Sequence, residues 1–129
     1  MADLQAATAH LGAEWSLGKV IDIDDEQAKQ DLRRLSATMI SIVAQSARLA
    51  DGHTTSVPRE VIDQGETTAE RFLLEWRGEA DPRHVKAIDT YWICTAEHGM
   101  NASTFTARVV TSTGADCAAS LSSAVGALS

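Results

Sequence analysis

His98, Asn101 and Ser103 are the side chains whose types and spacing best suit chemistry in this chain. They fall in Ala96-Glu97-His98-Gly99-Met100-Asn101-Ala102-Ser103-Thr104, between the end of one expected helix and the start of the next. A helix C-terminus favours a protonated imidazole, and a helix N-terminus presents backbone N–H groups that have no intrahelical acceptor. With the polar side chains of Asn101 and Ser103 added, such a junction suits a small carboxylate-bearing ligand, as helix N-termini suit phosphate. A histidine that only caps the preceding helix fits the same residues and is the commoner arrangement, so the pattern alone leaves both readings open.

The remaining reactive side chains have plainer expectations. His84 follows Asp81 by three residues in a helix first turn, where a solvated or cap-related role is expected. His10 reads as a surface residue of the first helix and His53 as part of a loop. Cys94 and Cys117 are flanked by apolar or small residues with no nearby base, which predicts buried, unreactive thiols. No histidine forms a recognised metal pair, and no phosphate-binding or dinucleotide glycine pattern occurs, so no metal or other cofactor is expected.

The elements that must position these groups read as helices almost throughout. Leu4, Ala7, Leu11 and Trp15 recur at spacings of three to four, predicting a helix over 3–14 that ends near Gly18. Residues 19–23 alternate but are too few for a strand. Asp24 followed by Gln27 is a capping-box variant opening the longest helix, 25–50, with Leu32, Leu35, Met39, Ile42, Val43 and Ser46 as its apolar stripe and Asp51-Gly52 as its stop. Residues 52–66 read as a loop holding a short helix at 58–64. Thr67 with Glu70 caps a helix over 68–77 that buries Phe72, Leu73 and Trp76 and stops at Gly78. Asp81-Pro82 opens the next, 82–97, carrying Val85, Ile88, Tyr91, Trp92 and Thr95. Asn101 or Ser103 caps a helix through Thr113, and Asp116 caps a last one presenting Leu121, Ala124, Val125 and Leu128. The fold class is therefore all-α and multi-helical. No repeat and no glycine- or serine-rich linker divides the chain, so residues 1–129 are expected to lack an internal domain boundary.

Composition narrows the class of function. With 129 residues, 44% hydrophobic and 22% charged, the chain is long enough for one domain. A net charge of −7 argues against nucleic acid as a partner, because phosphate affinity needs a surplus of lysine and arginine. No apolar run approaches the roughly 20 residues that span a bilayer, and the first residues lack a signal-peptide pattern, so a cytoplasmic protein with no membrane partner is expected. Two cysteines fit a reducing compartment. Residues 90–129 contain only three charged side chains, Glu97, Arg108 and Asp116, which predicts that the C-terminal third is buried.

The block from Ala96 to Val110, continuing to Asp116, resembles the central signature of citrate synthases. Residues 124–129, Ala-Val-Gly-Ala-Leu-Ser, are similar to the helix that in this family leads into a Gly-Pro-Leu-His-Gly-Gly segment. Asp22-Ile23-Asp24-Asp25 and Asp81-Pro82-Arg83-His84 also resemble the family, particularly its actinobacterial citrate synthase 2 branch. The resemblance runs from about Leu4 onward. It implies part of a large helical domain, truncated at both ends, from enzymes that are homodimers and condense acetyl-CoA with oxaloacetate to give citrate and CoA. It implies that His98 corresponds to an oxaloacetate-binding histidine and Asn101 to the asparagine beside it in the same pocket, which shifts the reading of His98 toward ligand binding. The two catalytic histidines, the catalytic aspartate and the substrate-clamping arginines come later in the family. By this resemblance the 129 residues are a central fragment, inactive alone. The alternatives are a fragment of 2-methylcitrate synthase, which uses propionyl-CoA, or a non-catalytic helical dimerisation module.

Overall fold

The computed structural model describes residues 1–97 and 99–128. Among these there are seven α-helices, one short 3-10 turn and no strand, so the all-α expectation holds. In chain order the helices are α1 (Ala2–Glu14), α2 (Asp25–Ala50), α3 (Arg59–Ile62), α4 (Thr68–Arg77), α5 (Pro82–Thr95), α6 (Ala102–Ser112) and α7 (Cys117–Gly126). The chain divides into two compact units, one of Met1–Met39 with Gly99–Ser129 and one of Ile40–His98.

Side-chain caps set most of the helix starts. At α2, the Gln27 N–H donates to Asp24 Oδ1 at 2.8 Å. The Gln27 side chain does not return the bond but donates instead to Asp31 Oδ1, so only half of a capping box forms. The box at α4 is complete: the Glu70 N–H donates to Thr67 Oγ1, and Glu70 Oε2 accepts from the Thr67 N–H. Asp81 accepts from the Arg83 N–H at α5, Asn101 from Thr104 at α6 and Asp116 from Ala119 at α7. Each cap satisfies one of the N–H groups that a helix start leaves without an internal acceptor.

The first helix stops at Glu14, as its expected span of 3–14 requires, and Ser16, with φ 50, rather than Gly18 takes the left-handed conformation after it. Residues 20–22, in the stretch too short for a strand, form the 3-10 turn.

The first unit packs around Leu35, with small side chains where α1 meets α7. Leu35, Cys117 and Ala118 are buried, with Leu11, Trp15, Leu17, Val20 and Leu121 partly buried against them. Helix α7 packs chiefly on α1 and α6. Close approach to α1 depends on Gly12, where a Cβ would lie 2.8 Å from the Ala118 Cβ. The guanidinium of Arg34 stacks 3.6 Å above the Trp15 ring, a cation–π contact that holds the end of α1 beside α2.

The second unit packs around aromatic rings. Ala44, Phe72 and Leu73 are buried, with Ile40, Trp76, Val85, Ile88 and Trp92 against them. Phe72 meets Trp76 and Trp92 edge-to-face, at centroid distances of 5.8 and 5.4 Å, the geometry that the ring quadrupoles prefer. Polar contacts fix the elements around this core. Trp76 Nε1 donates to Asp51 Oδ2, and Arg48 donates to the Thr55 and Trp76 carbonyls. Ser41 Oγ and Gln45 Nε2 both donate to Glu75 Oε1.

Burial departs from the expected stripes in two places. On α2 the fully buried apolar residues are Leu35 and Ala44, while Leu32 and Val43 are exposed. The C-terminal third is not uniformly buried either. Half of α7 is buried and the rest of it half-buried, but Tyr91 (63% exposed), Ile93 (70%), Phe105 (60%) and Val109 (49%) face outward. Absence of charge therefore identified α7 correctly and misread α6 and the end of α5.

Candidate functional site

Residues Gly99–Thr104 form a tight entry into α6. Gly99 has φ 94 with open space around its Cα, so its need is for a left-handed backbone and not for room. The Asn101 N–H donates to the Gly99 carbonyl at 3.0 Å. Asn101 itself is extended (φ −88, ψ 176), and its Oδ1 accepts from the Thr104 N–H at 2.8 Å. Of the two caps the sequence allowed, the structure uses Asn101.

Ser103 is thereby released from capping. Its Oγ is buried and has no hydrogen-bond partner among the described residues. A buried polar group left in that state costs about 1–3 kcal/mol, so the hydroxyl marks a place where a further polar group is wanted. The first turn of α6 carries no acidic residue, whereas a helix N-terminus favours negative charge. A capped helix start, a first turn without acidic side chains and a buried hydroxyl with no partner among the described residues thus occur together at this turn. His98 lies outside the described residues. The sequence named Ser103 beside Asn101, but its burial depends on tertiary packing and has no local signature.

The other candidates are placed individually. His10, His53 and His84 are exposed, on α1, in the loop after α2 and in the first turn of α5 respectively. Asp81 is held below the usual carboxylate range, first by the side chain and backbone of Arg83 and to a lesser degree by the nearby His84, which fits the cap-related role expected of that histidine. Cys117 is buried, and burial raises its thiol pKa, with the charges of Asp31 and Asp116 adding to the effect. A thiol pushed that way is a poor nucleophile. Cys94 is exposed, contrary to expectation, because it lies on the outward face of α5. Among the described residues no group of three or more His, Cys, Asp or Glu side chains converges as metal ligands do. No described helix is long and apolar enough to cross a membrane.

Comparison with known proteins agrees with the signature around this turn. Residues 1–129 match the family described as citrate synthase, C-terminal domain. The chain is 54% identical over 127 residues to "Putative citrate synthase 2" of Mycobacterium tuberculosis, covering 98% of this chain and 34% of that protein. It is 36% identical to the citrate synthase of Mycolicibacterium smegmatis, covering 97% of this chain and 32% of the relative. It is also 36% identical to a 2-methylcitrate synthase of Mycobacterium tuberculosis, over 97% of this chain and 30% of that protein. The chain thus spans about a third of the length of the curated relatives it matches. With a family match along its whole length and a helical fold in agreement, the chain belongs to the citrate synthase family.

Proposed function

We propose that residues 1–129 supply the oxaloacetate-holding turn of an enzyme that condenses acetyl-CoA with oxaloacetate to give citrate and CoA. In this reading the enzyme works in the cytoplasm as a homodimer, at the entry to the tricarboxylic acid cycle. His98 and Asn101 bind the substrate, and the Ser103 hydroxyl is a further donor. The observation that carries the proposal is the first turn of α6, which is capped by Asn101, lacks acidic side chains and keeps the Ser103 hydroxyl buried without a partner among the described residues. Oxaloacetate, with two carboxylates and a ketone, presents acceptors suited to the Ser103 hydroxyl.

None of the 129 residues is given a catalytic role. Removing a methyl proton from a thioester requires a positioned base and a positioned electrophile, each contributing about 10²–10⁴-fold. The family resemblance assigns both to segments outside this span. The 129 residues alone are expected to bind oxaloacetate without releasing CoA.

Titration calorimetry with oxaloacetate tests the binding step. Asn101→Asp retains a good helix cap but sets a carboxylate against the ligand. His98→Ala and Asn101→Asp are each expected to weaken binding about 10–100-fold, the effect of losing a hydrogen bond to a charged group. Unchanged affinity in both variants would overturn the assignment of this turn. Thiol release above background from acetyl-CoA and oxaloacetate, with the 129 residues as the sole protein, would overturn the expected inactivity.

The 2-methylcitrate alternative shares oxaloacetate as acceptor and differs in using propionyl-CoA. The relative of that name matches at 36% identity against 54% for the citrate synthase 2 relative, so the acetyl-CoA reading is preferred. A non-catalytic helical dimerisation module is favoured by the outward-facing Phe105 and Val109 on α6. Co-purification with a full-length synthase, unaffected by His98→Ala, would support the module over the substrate-binding reading.

A further inference from the structure

We draw no further inference here: the strongest candidate, the exposed apolar face of α6 carrying Phe105 and Val109 near Met100, has nothing in the structure to show what covers it.

Discussion

The two units bury their cores by opposite means. In the first, backbones come close because the contact residues are small: Gly12 on α1 lies against Ala118 on α7, and Thr8 is fully buried. In the second, Phe72, Trp76 and Trp92 fill the space between helices that carry larger side chains. The contact of α1 with α7 has little room to gain. The second unit concentrates its buried apolar area in a few rings, so it resists enlargement less sharply and suffers more from truncation.

Removing the central ring is therefore expected to have the largest effect. Phe72→Ala empties the position that two tryptophans pack against, and a loss of about 3–5 kcal/mol is expected, read as a lower urea midpoint. A loss under about 1 kcal/mol would mean that the aromatic cluster is not the core of that unit.

Enlargement should discriminate in the first unit. Gly12→Ala places a methyl 2.8 Å from the Ala118 Cβ, and that atom cannot swing aside because it is fixed to the α7 backbone. Overpacking of this kind costs about 1–3 kcal/mol, offset by about 1 kcal/mol of helix propensity gained over glycine. A net loss of about 1–2 kcal/mol is expected by chemical denaturation, and Ala118→Gly in the same chain should recover part of it. Gly126→Ala is the control. The atoms nearest its methyl would be the amide end of Gln5, a flexible side chain that can move away, so stability should stay within about 0.5 kcal/mol. Equal losses at Gly12 and Gly126 would sink the close-approach account.

How much of this was legible in the sequence follows from the range of the interactions involved. Thr67 with Glu70, Asp81-Pro82, Asp116 and Asp24 all act within three residues of a helix start, and each caps the helix that the sequence assigned to it. The choice between Asn101 and Ser103 was not legible, because either could cap and only the observed turn decides. The stripe on α2 was displaced for a related reason. Its buried apolar residues, Leu35 and Ala44, belong to different units, so a single face drawn along the whole helix does not describe it. Low charge identified α7 but not the outward face of α6, since Phe105 and Val109 show that an uncharged helix need not be covered within these residues. The family signature reached further than the periodicity did, pointing to the turn that the structure builds around the Asn101 cap.

Smaller effects sharpen the contrast at the edges of the second unit. Thr67→Ala removes the acceptor for the Glu70 N–H and half of the box at α4. A loss of about 1 kcal/mol is expected, with hydrogen exchange rising first in the first turn of α4. An unchanged exchange pattern there would show that tertiary packing, and not the cap, sets where α4 begins.

Acid should act on the starts of α4 and α5. The backbone N–H groups of Thr67 and then Glu66 hold the Glu70 carboxyl below its ordinary range. Arg83 does the same for Asp81. A carboxyl whose pKa is lower folded than unfolded contributes stability that is present above its unfolded value and lost as pH falls through its folded one. Both groups are solvent-exposed, so the effect is expected to be small and reduced by salt. Below about pH 4, the starts of α4 and α5 should fray before the aromatic core opens, seen as faster amide exchange at residues 67–70 and 81–84. Glu70→Gln and Asp81→Asn can still accept hydrogen bonds but do not titrate, so together they should flatten that pH dependence. If fraying at these positions follows pH equally in the double variant, the carboxylates are not its cause, and acid must be acting on the second unit through its interior.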